Sequence, residues 1–488
     1  MSKTKRLVQQ LNQKEYNNLH KVLTDSEAKK SADLLSFFRA DKLNDEEIKI
    51  KLGVKSNAYY TLRSRLNEKI ESHILQEIAS PRASILKQVA SINEILFTKN
   101  RTIALASFKK LEKELKSYDL SNELTLVYRA MKKLMLHQPN YYEYSQLYNE
   151  HVAYMLVVDK VEDHLADYFK RYSEYSLTYS TEDDFTFEVI INEIQTITSH
   201  YQSHRLLVYQ SLNEIFHELF SKNNDLATNL SLKNKLAEDF IVLENTFKSY
   251  KLDITYQNLF WVVKYLKILY YHKIDHQHRG ISRLINEITE NQDTLIANYG
   301  LFTFSGFYYN IKLMQYKNEG RLHELYNENR YGFDNLELNP NDKINYILYY
   351  CYLAIGCYHN HQYEEGLNYI QTTLKKVSLV NHIEIQIDIK LLECLFLLKL
   401  DYNENLSQTT NNIRRHIRLL GKDTCVYANE LLRIFNSSLS QIDPIKKKNK
   451  IINYTESFNQ SKRPLHSPIY SIYLNAKDFK VVSEQQLD

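Results

Sequence analysis

The apolar residues of this chain recur at intervals of three and four along most of its length, the spacing that lines one face of an α-helix. The pattern is sharpest between Tyr346 and Leu420. Tyr350, Leu353, Ala354 and Cys357 share one face, His359 to Gln362 interrupt it, and Tyr363, Leu367, Ile370 and Leu374 resume the spacing. A second helix therefore folds back on the first. The plan repeats with Ile389, Leu392 and Phe396, a break at Leu400 to Asp401, and then Tyr402, Leu406 and Ile413. Tyr363 and Tyr402 hold the same place in their units, 39 residues apart. Tyr309, Tyr316, Gly320 and Leu322 outline an earlier unit of the same kind.

Upstream, the same spacing predicts helices at Thr4 to Leu23, Asp25 to Arg39, Ile85 to Phe97, Ile103 to Leu115, Leu120 to Leu136 and Tyr141 to Val158, with four more between Phe185 and Lys273. Nine Gly and six Pro among 488 residues fit long helices joined by short polar turns, since both residues are costly inside helices. Three of the prolines, with the basic run Lys446 to Lys448 and Lys450, fall beyond Ser440. That stretch reads as a flexible linker with a docking end, in which Ile451 to Phe458 and Ile469 to Leu474 alternate as strands or docked extended segments do. The expected division is a helical head at 1–75, a helical array at 76–440 and a tail at 441–488. The expected fold is all-α, an α-solenoid of antiparallel helix pairs.

The paired units resemble the tetratricopeptide repeat, whose helix pairs carry large and small residues at fixed positions. The family's small residue, where the second helix crosses the first, falls on Gly366, with the preceding aromatic on Tyr363. Its large–Leu–small run in the first helix falls on Tyr350, Leu353 and Ala354. The chain departs from the family in a longer period, in Asn405 at the small crossing position of the last unit, and in Lys312 where Leu is expected. The resemblance implies a curved inner surface built from the first helix of each pair, with a protein or peptide partner lying on it. Cys351, Ile355, Tyr358, Lys390 and Leu397 are then the groove-facing positions. An irregular helical bundle satisfies the same spacing.

The head carries a second resemblance. Asn44 followed by Glu47 is a capping box for a helix that begins at Asp45, and Gly53 supplies its stop. Ser56 caps a following helix that runs to about Ile70, with Tyr59, Leu62 and Leu66 inward. This layout resembles the bacterial helix–turn–helix, in which the second helix enters the major groove of DNA. The base-reading positions would be Lys55, Ser56, Asn57 and Tyr60, with Arg63 and Arg65 nearer the phosphates. Lys49 stands where such motifs carry a small residue, because the two helices approach closely there. DNA is thus the alternative partner, for a transcription regulator with the helical body as sensor or dimeriser. A polar helical hairpin that caps the array fits the same residues.

Charge adds little to this. The net charge is +3, with 15 Lys and Arg against 10 Asp and Glu in residues 1–75 and 8 against 5 in residues 441–488. Basic ends on a mildly acidic body favour an anionic partner only weakly. No secretory leader is expected from the N-terminal pattern, and the longest apolar run, Leu259 to Tyr271, is broken by Lys264 and Lys267, so no membrane association is expected. Cys351, Cys357, Cys394 and Cys425 form no CxxC pair and sit in apolar helical contexts, the pattern of reduced buried thiols in a cytoplasmic protein.

Candidate chemistry is sparse. There is no Gly-rich phosphate loop, no GxSxG elbow and no HExxH. His272 and His276 share a helical face at i, i+4, a spacing that needs a third ligand to hold a metal and that His200 and His204 repeat by chance. The tyrosines at 141, 142, 144 and 148 can line a groove or simply fill helix contacts. A non-enzymatic binding scaffold with no cofactor and no metal is the expectation; the sequence assigns no oligomeric state.

Overall fold

The computed structural model describes residues 3–11, 13–26, 28–40, 43–77, 81–178, 184–201, 203–220, 230–250, 253–275, 278–290, 305–332, 338–421, 425–440, 444–464, 466–476 and 479. Among these, every regular element is a helix, so the fold is all-α. Packing divides the chain into two units, Met1–Ala153 and Tyr154–Asp488.

In the first unit, α1 (Lys3–Gln10), α2 (Gln13–Asp25), α3 (Lys29–Ala40), α4 (Asp45–Leu52) and α5 (Ser56–Glu77) enclose Leu19, Leu34, Leu35, Phe38, Ile48, Tyr59 and Leu66. One helix was expected from Thr4 to Leu23; the chain instead breaks between α1 and α2. Arg39 holds the break closed, donating from Nη1 to the carbonyls of Val8, Gln9 and Leu11 at 3.1, 3.2 and 2.8 Å. These carbonyls lie at and just beyond the end of α1, where helical partners run out. A separate core around Phe108, Leu111, Leu115, Val127, Tyr128 and Met131 is built by α6 (Pro81–Ala90), α7 (Ile92–Thr98), α8 (Arg101–Ser117), α9 (Ser121–Leu134) and the start of α10 (Asn140–Thr178). Tyr144 is buried in this core and Tyr141 and Tyr148 pack on it, while Tyr142 is exposed. The tyrosine cluster therefore serves helix packing.

The second unit takes the rest of α10, then α11 (Asp184–Ser199), α12 (His204–Phe220), α13 (Leu230–Ser249), α14 (Ile254–Tyr270), a π-turn at Tyr271–Asp275 and α15 (His278–Thr289). Paired helices follow: α16 (Ser305–Asn318) with α17 (Leu325–Gly332), α18 (Lys343–His359) with α19 (Tyr363–Lys376), α20 (Ile383–Lys399) with α21 (Asn403–Leu420), and α22 (Val426–Leu439) with α23 (Pro444–Gln460). All share one continuous apolar core. The expected linker and strand are overturned: Ile451 and Phe458 lie on α23, buried in that core at helical spacing.

The turn inside the first three pairs is the same object. Arg321 N–H donates to Tyr316 O at 2.8 Å, Gln362 N–H to Cys357 O at 2.9 Å and Tyr402 N–H to Leu397 O at 3.0 Å. Each bond spans five residues, and each is preceded by a left-handed residue, Gly320 (φ 72°), His361 (φ 60°) or Asp401 (φ 59°). This closes off the helix and reverses the chain. Asp119 (φ 51°) makes the same turn between α8 and α9, where Leu120 N–H reaches Leu115 O at 3.0 Å.

Within a pair the helices run antiparallel: Tyr350 meets Tyr369 with ring centroids 6.1 Å apart, while Cys357 lies against Gly366. Between pairs, Tyr309 of α16 stacks on Tyr352 of α18 at 4.6 Å. Lys312, out of place beside a tetratricopeptide pattern, is buried and pairs with Glu328 of α17 at 3.0 Å. Tyr316 donates its hydroxyl to the same carboxylate at 2.8 Å. Burial lowers the Lys312 pKa and the Glu328 charge opposes that shift.

At Gly366, α19 packs tightly against both α18 and α20. A Cβ there would lie 2.7 Å from Phe396 Cζ and 3.2 Å from Cys357 Cβ, and Phe396 is fully buried. In an open helix Gly→Ala gains up to about 1 kcal/mol. Here the overpacking wins, and Gly366→Ala should destabilise the unit by about 1–3 kcal/mol. Adding Phe396→Leu should recover part of the loss. Urea unfolding followed through the single tryptophan, Trp261, checks both.

Candidate functional site

Asp388 is a buried carboxylate of the second unit. It sits in α20, IEIQIDIKLLECLFLLK, and is completely buried. A carboxylate taken out of water needs donors. Tyr427 of α22 donates its hydroxyl to Oδ1 at 3.0 Å and Ser467 donates to Oδ2 at 2.5 Å. The groups around it stay protonated. Burial, then the Asp388 charge, raises the Tyr427 phenol and the Cys351 thiol well above their ordinary values, and burial with Asp388 and Glu384 pushes the Cys425 thiol to about 12.

Ser467 belongs to the segment that follows α23. This segment makes successive tight turns, closed by Ser467 N–H to Pro464 O, Tyr470 N–H to Ser467 O and Ile472 N–H to Ile469 O. Side chains read its main chain. Asn310 of α16 donates to Ser467 O at 3.1 Å, and Arg463 donates to Ile469 O at 3.0 Å and Ile472 O at 2.6 Å. Asn459 brackets Leu474, donating to its carbonyl at 2.8 Å and accepting from its amide at 3.1 Å. Ser467, Pro468, Ile469, Ile472 and Leu474 are buried. Lys317 lies 3.9 Å from the centroid of the Tyr473 ring. Burial and the Lys273 charge push His466 down to about 3, so it is neutral in its place beside Tyr175. The segment thus crosses from α16 to α20, the first helices of their pairs, with Cys351 of α18 near the same carboxylate. The expected docking end exists, but as turns rather than a strand.

The five expected groove residues do not form a surface. Cys351, Ile355 and Leu397 are 1%, 4% and 1% exposed. Every residue of α18 from Ile344 to Cys357 except Tyr350 is buried, because the helix is enclosed on all sides and has no free inner stripe. Lys390 is half-buried on the other side of α20: its charge reaches His416 of α21, and its neighbour Glu393 bonds Gln371 of α19. Tyr358 is half-buried near the end of α18 against Tyr363 and Phe396, with Lys399 5.7 Å from its ring centroid. The side of the first helices that does meet a peptide-like segment is marked by Asn310 and Asp388. A carboxylate set between Ile387 and Ile389 in an apolar helix is the sequence signal that marks this side.

In the head, the capping box is complete: Glu47 N–H donates to Asn44 Oδ1 and Asn44 N–H to Glu47 Oε2, both at 2.9 Å. Gly53 ends α4 with φ 60°. Lys55, Ser56, Asn57, Tyr60 and Arg65 are exposed. Arg63 is half-buried, 3.8 Å from Asp45 and 4.9 Å from the Tyr60 ring centroid. Lys49 is largely buried. It bonds Glu46 at 2.7 Å, which raises its pKa, and lies 5.5 Å from the ring centroids of Tyr59 and Tyr60. Tyr59 in turn donates to Asp45 at 2.9 Å. His276 lies outside the described residues. No described helix is long and apolar enough to cross a membrane.

Comparison with family models, curated proteins and solved structures found no match.

Removing the Asp388 carboxylate would strand two buried hydroxyls. Asp388→Ala should therefore cost about 2–4 kcal/mol, and Ser467→Ala, which removes one donor, about 1–2 kcal/mol. The double variant should cost less than the sum of the two, because the same bond is lost in each. Denaturant midpoints followed by Trp261 fluorescence measure all three.

Proposed function

We propose that this chain is a non-enzymatic helical scaffold of the cytoplasm that binds a protein or peptide segment through the Asn310–Asp388 side of its paired helices. The observation that carries this reading is the C-terminal segment held on that side. Its main-chain carbonyl is taken by a side-chain amide and its hydroxyl by a buried carboxylate, while its aliphatic side chains are buried. This is how proteins hold irregular peptides: polar contacts to the main chain fix the register, and pockets supply selectivity. The resemblance to tetratricopeptide arrays points to the same use of first helices. A binding role also suits the cysteines, all four buried, three with thiols pushed up and away from nucleophilic reactivity.

Full-length protein should recover one or a few proteins from a cell extract, and a variant carrying Asn310→Ala with Asp388→Asn should recover at least ten-fold less of them by quantitative mass spectrometry. Equal recovery by the two proteins would sink this assignment.

A second reading rests on the head. An intact capping box, a left-handed Gly53 and exposed Lys55, Ser56, Asn57, Tyr60 and Arg65 suit a helix offered to DNA, which would make the protein a transcription regulator. Arg63, held by Asp45 and Tyr60, is better suited to bracing that helix than to reaching phosphate. Binding to genomic DNA fragments across a salt series decides it. The expected result is a logarithmic affinity that falls linearly with the logarithm of salt, with a shallower slope, by about one per lost phosphate contact, in Lys55→Ala plus Arg65→Ala. No binding at low salt retires this reading.

A further inference from the structure

We propose that residues 466–476 are a built-in, displaceable occupant of the Asn310–Asp388 surface, and that the partner is a protein segment that competes for it with the same chemistry. The inference rests on the binding reading above and names the ligand class. The segment itself supplies the template. At its centre stands a serine or threonine whose hydroxyl donates to Asp388 and whose own carbonyl accepts from Asn310. Proline follows, and then aliphatic residues two, five and seven places after the serine, where Ile469, Ile472 and Leu474 are buried. An acidic residue at the serine position is excluded, because it would set a second carboxylate against the buried Asp388 side chain.

Three features make the segment displaceable where the helices are not. Its backbone bonds are closed within three-residue turns, so it takes no part in any helix ladder and can leave without breaking one. Ser467 bonds the paired helices from both its carbonyl and its hydroxyl, and Tyr473 adds a cation–ring contact at the surface. Its apolar gain comes from a few side chains and is set against the ordering of about a dozen backbone residues, terms of the same order. Local opening of such an element lies well below global unfolding. A partner that supplies the same groups on a pre-ordered segment avoids that ordering cost and wins the surface. The arrangement keeps Asp388 satisfied in the absence of a partner, which a bare groove would not.

The test uses the full-length chain and a fluorescein-labelled synthetic peptide of residues 466–476. Ser467→Asp with Ile469→Asp should eject the chain's own segment. The labelled peptide should then bind this variant at least ten-fold more tightly than it binds the wild type, measured by anisotropy, and adding Asp388→Asn should weaken that binding about ten-fold. Equal binding to wild type and ejected variant, or none to either, overturns the proposal. Concentration-dependent dimers that the peptide dissolves would assign the surface to a second copy's segment and overturn the separate partner. If the ejected variant fails to fold, hydrogen exchange on the wild type decides: amides of 466–476 should exchange at least a hundred-fold faster than those of α18 and α20, and equal protection overturns the proposal. Peptide binding without any captured protein would contradict the scaffold function and leave the occupant standing. Capture without peptide binding would do the reverse.

Discussion

Asp388 sets a condition that the rest of the second unit has to meet. A carboxylate inside an apolar helix is tolerable only where hydrogen-bond donors are delivered to it, and two of its donors come from outside its own pair of helices. One comes from Tyr427 on the next pair and the other from Ser467, 79 residues further along the chain. The stacking of α20 on α22 and the path of the chain after α23 are both tied to that one group. The segment after α23, which reads as polar and loosely patterned, passes through a place fixed by the Asp388 side chain. The protonated thiols of Cys351 and Cys425 and the phenol of Tyr427 describe the same environment from its other side.

The paired helices owe their regularity to the backbone more than to side-chain identity. Gly320, His361 and Asp401 are chemically unrelated, yet each adopts the left-handed conformation that ends one helix and starts its partner, at spacings of 41 and 40 residues. For His361 and Asp401 that conformation carries a steric cost of about 1 kcal/mol, which the packing of the two helices outweighs. Small residues are then needed only where helices touch most closely, as at Gly366. Where the contact is looser, as beside Lys312, a buried ion pair with Glu328 fills the position.

The head applies comparable economy to its charges. Lys49 and Arg63 both lean on Tyr59 and Tyr60 and pair with Glu46 and Asp45, so two of the basic residues that make the region look ready for an anion are engaged in holding α4 on α5. Of the cations at the candidate DNA-facing positions, Lys55 and Arg65 stay exposed. Net basicity counted along the sequence overstates the field offered to solvent.

The sequence determined the helices and most of their ends. Period-3.6 apolar spacing, the Asn44–Glu47 box, Gly53 and the scarcity of glycine and proline are local properties, and local properties survive in a one-dimensional reading. It also determined the paired plan, through the recurrence of Tyr363 and Tyr402. The break after Gln10 was missed because it is secured by Arg39, nearly thirty residues away. The side of the first helices that matters was decided only by the tertiary structure. An α-helix such as α18, apolar all round, has no stripe from which to infer a free face, so Cys351, Ile355 and Leu397 could be assigned to a groove when they are core. Asp388 and Asn310 acquire meaning only once Ser467 is brought between them, a contact spanning 79 and 157 residues that no spacing rule can reach.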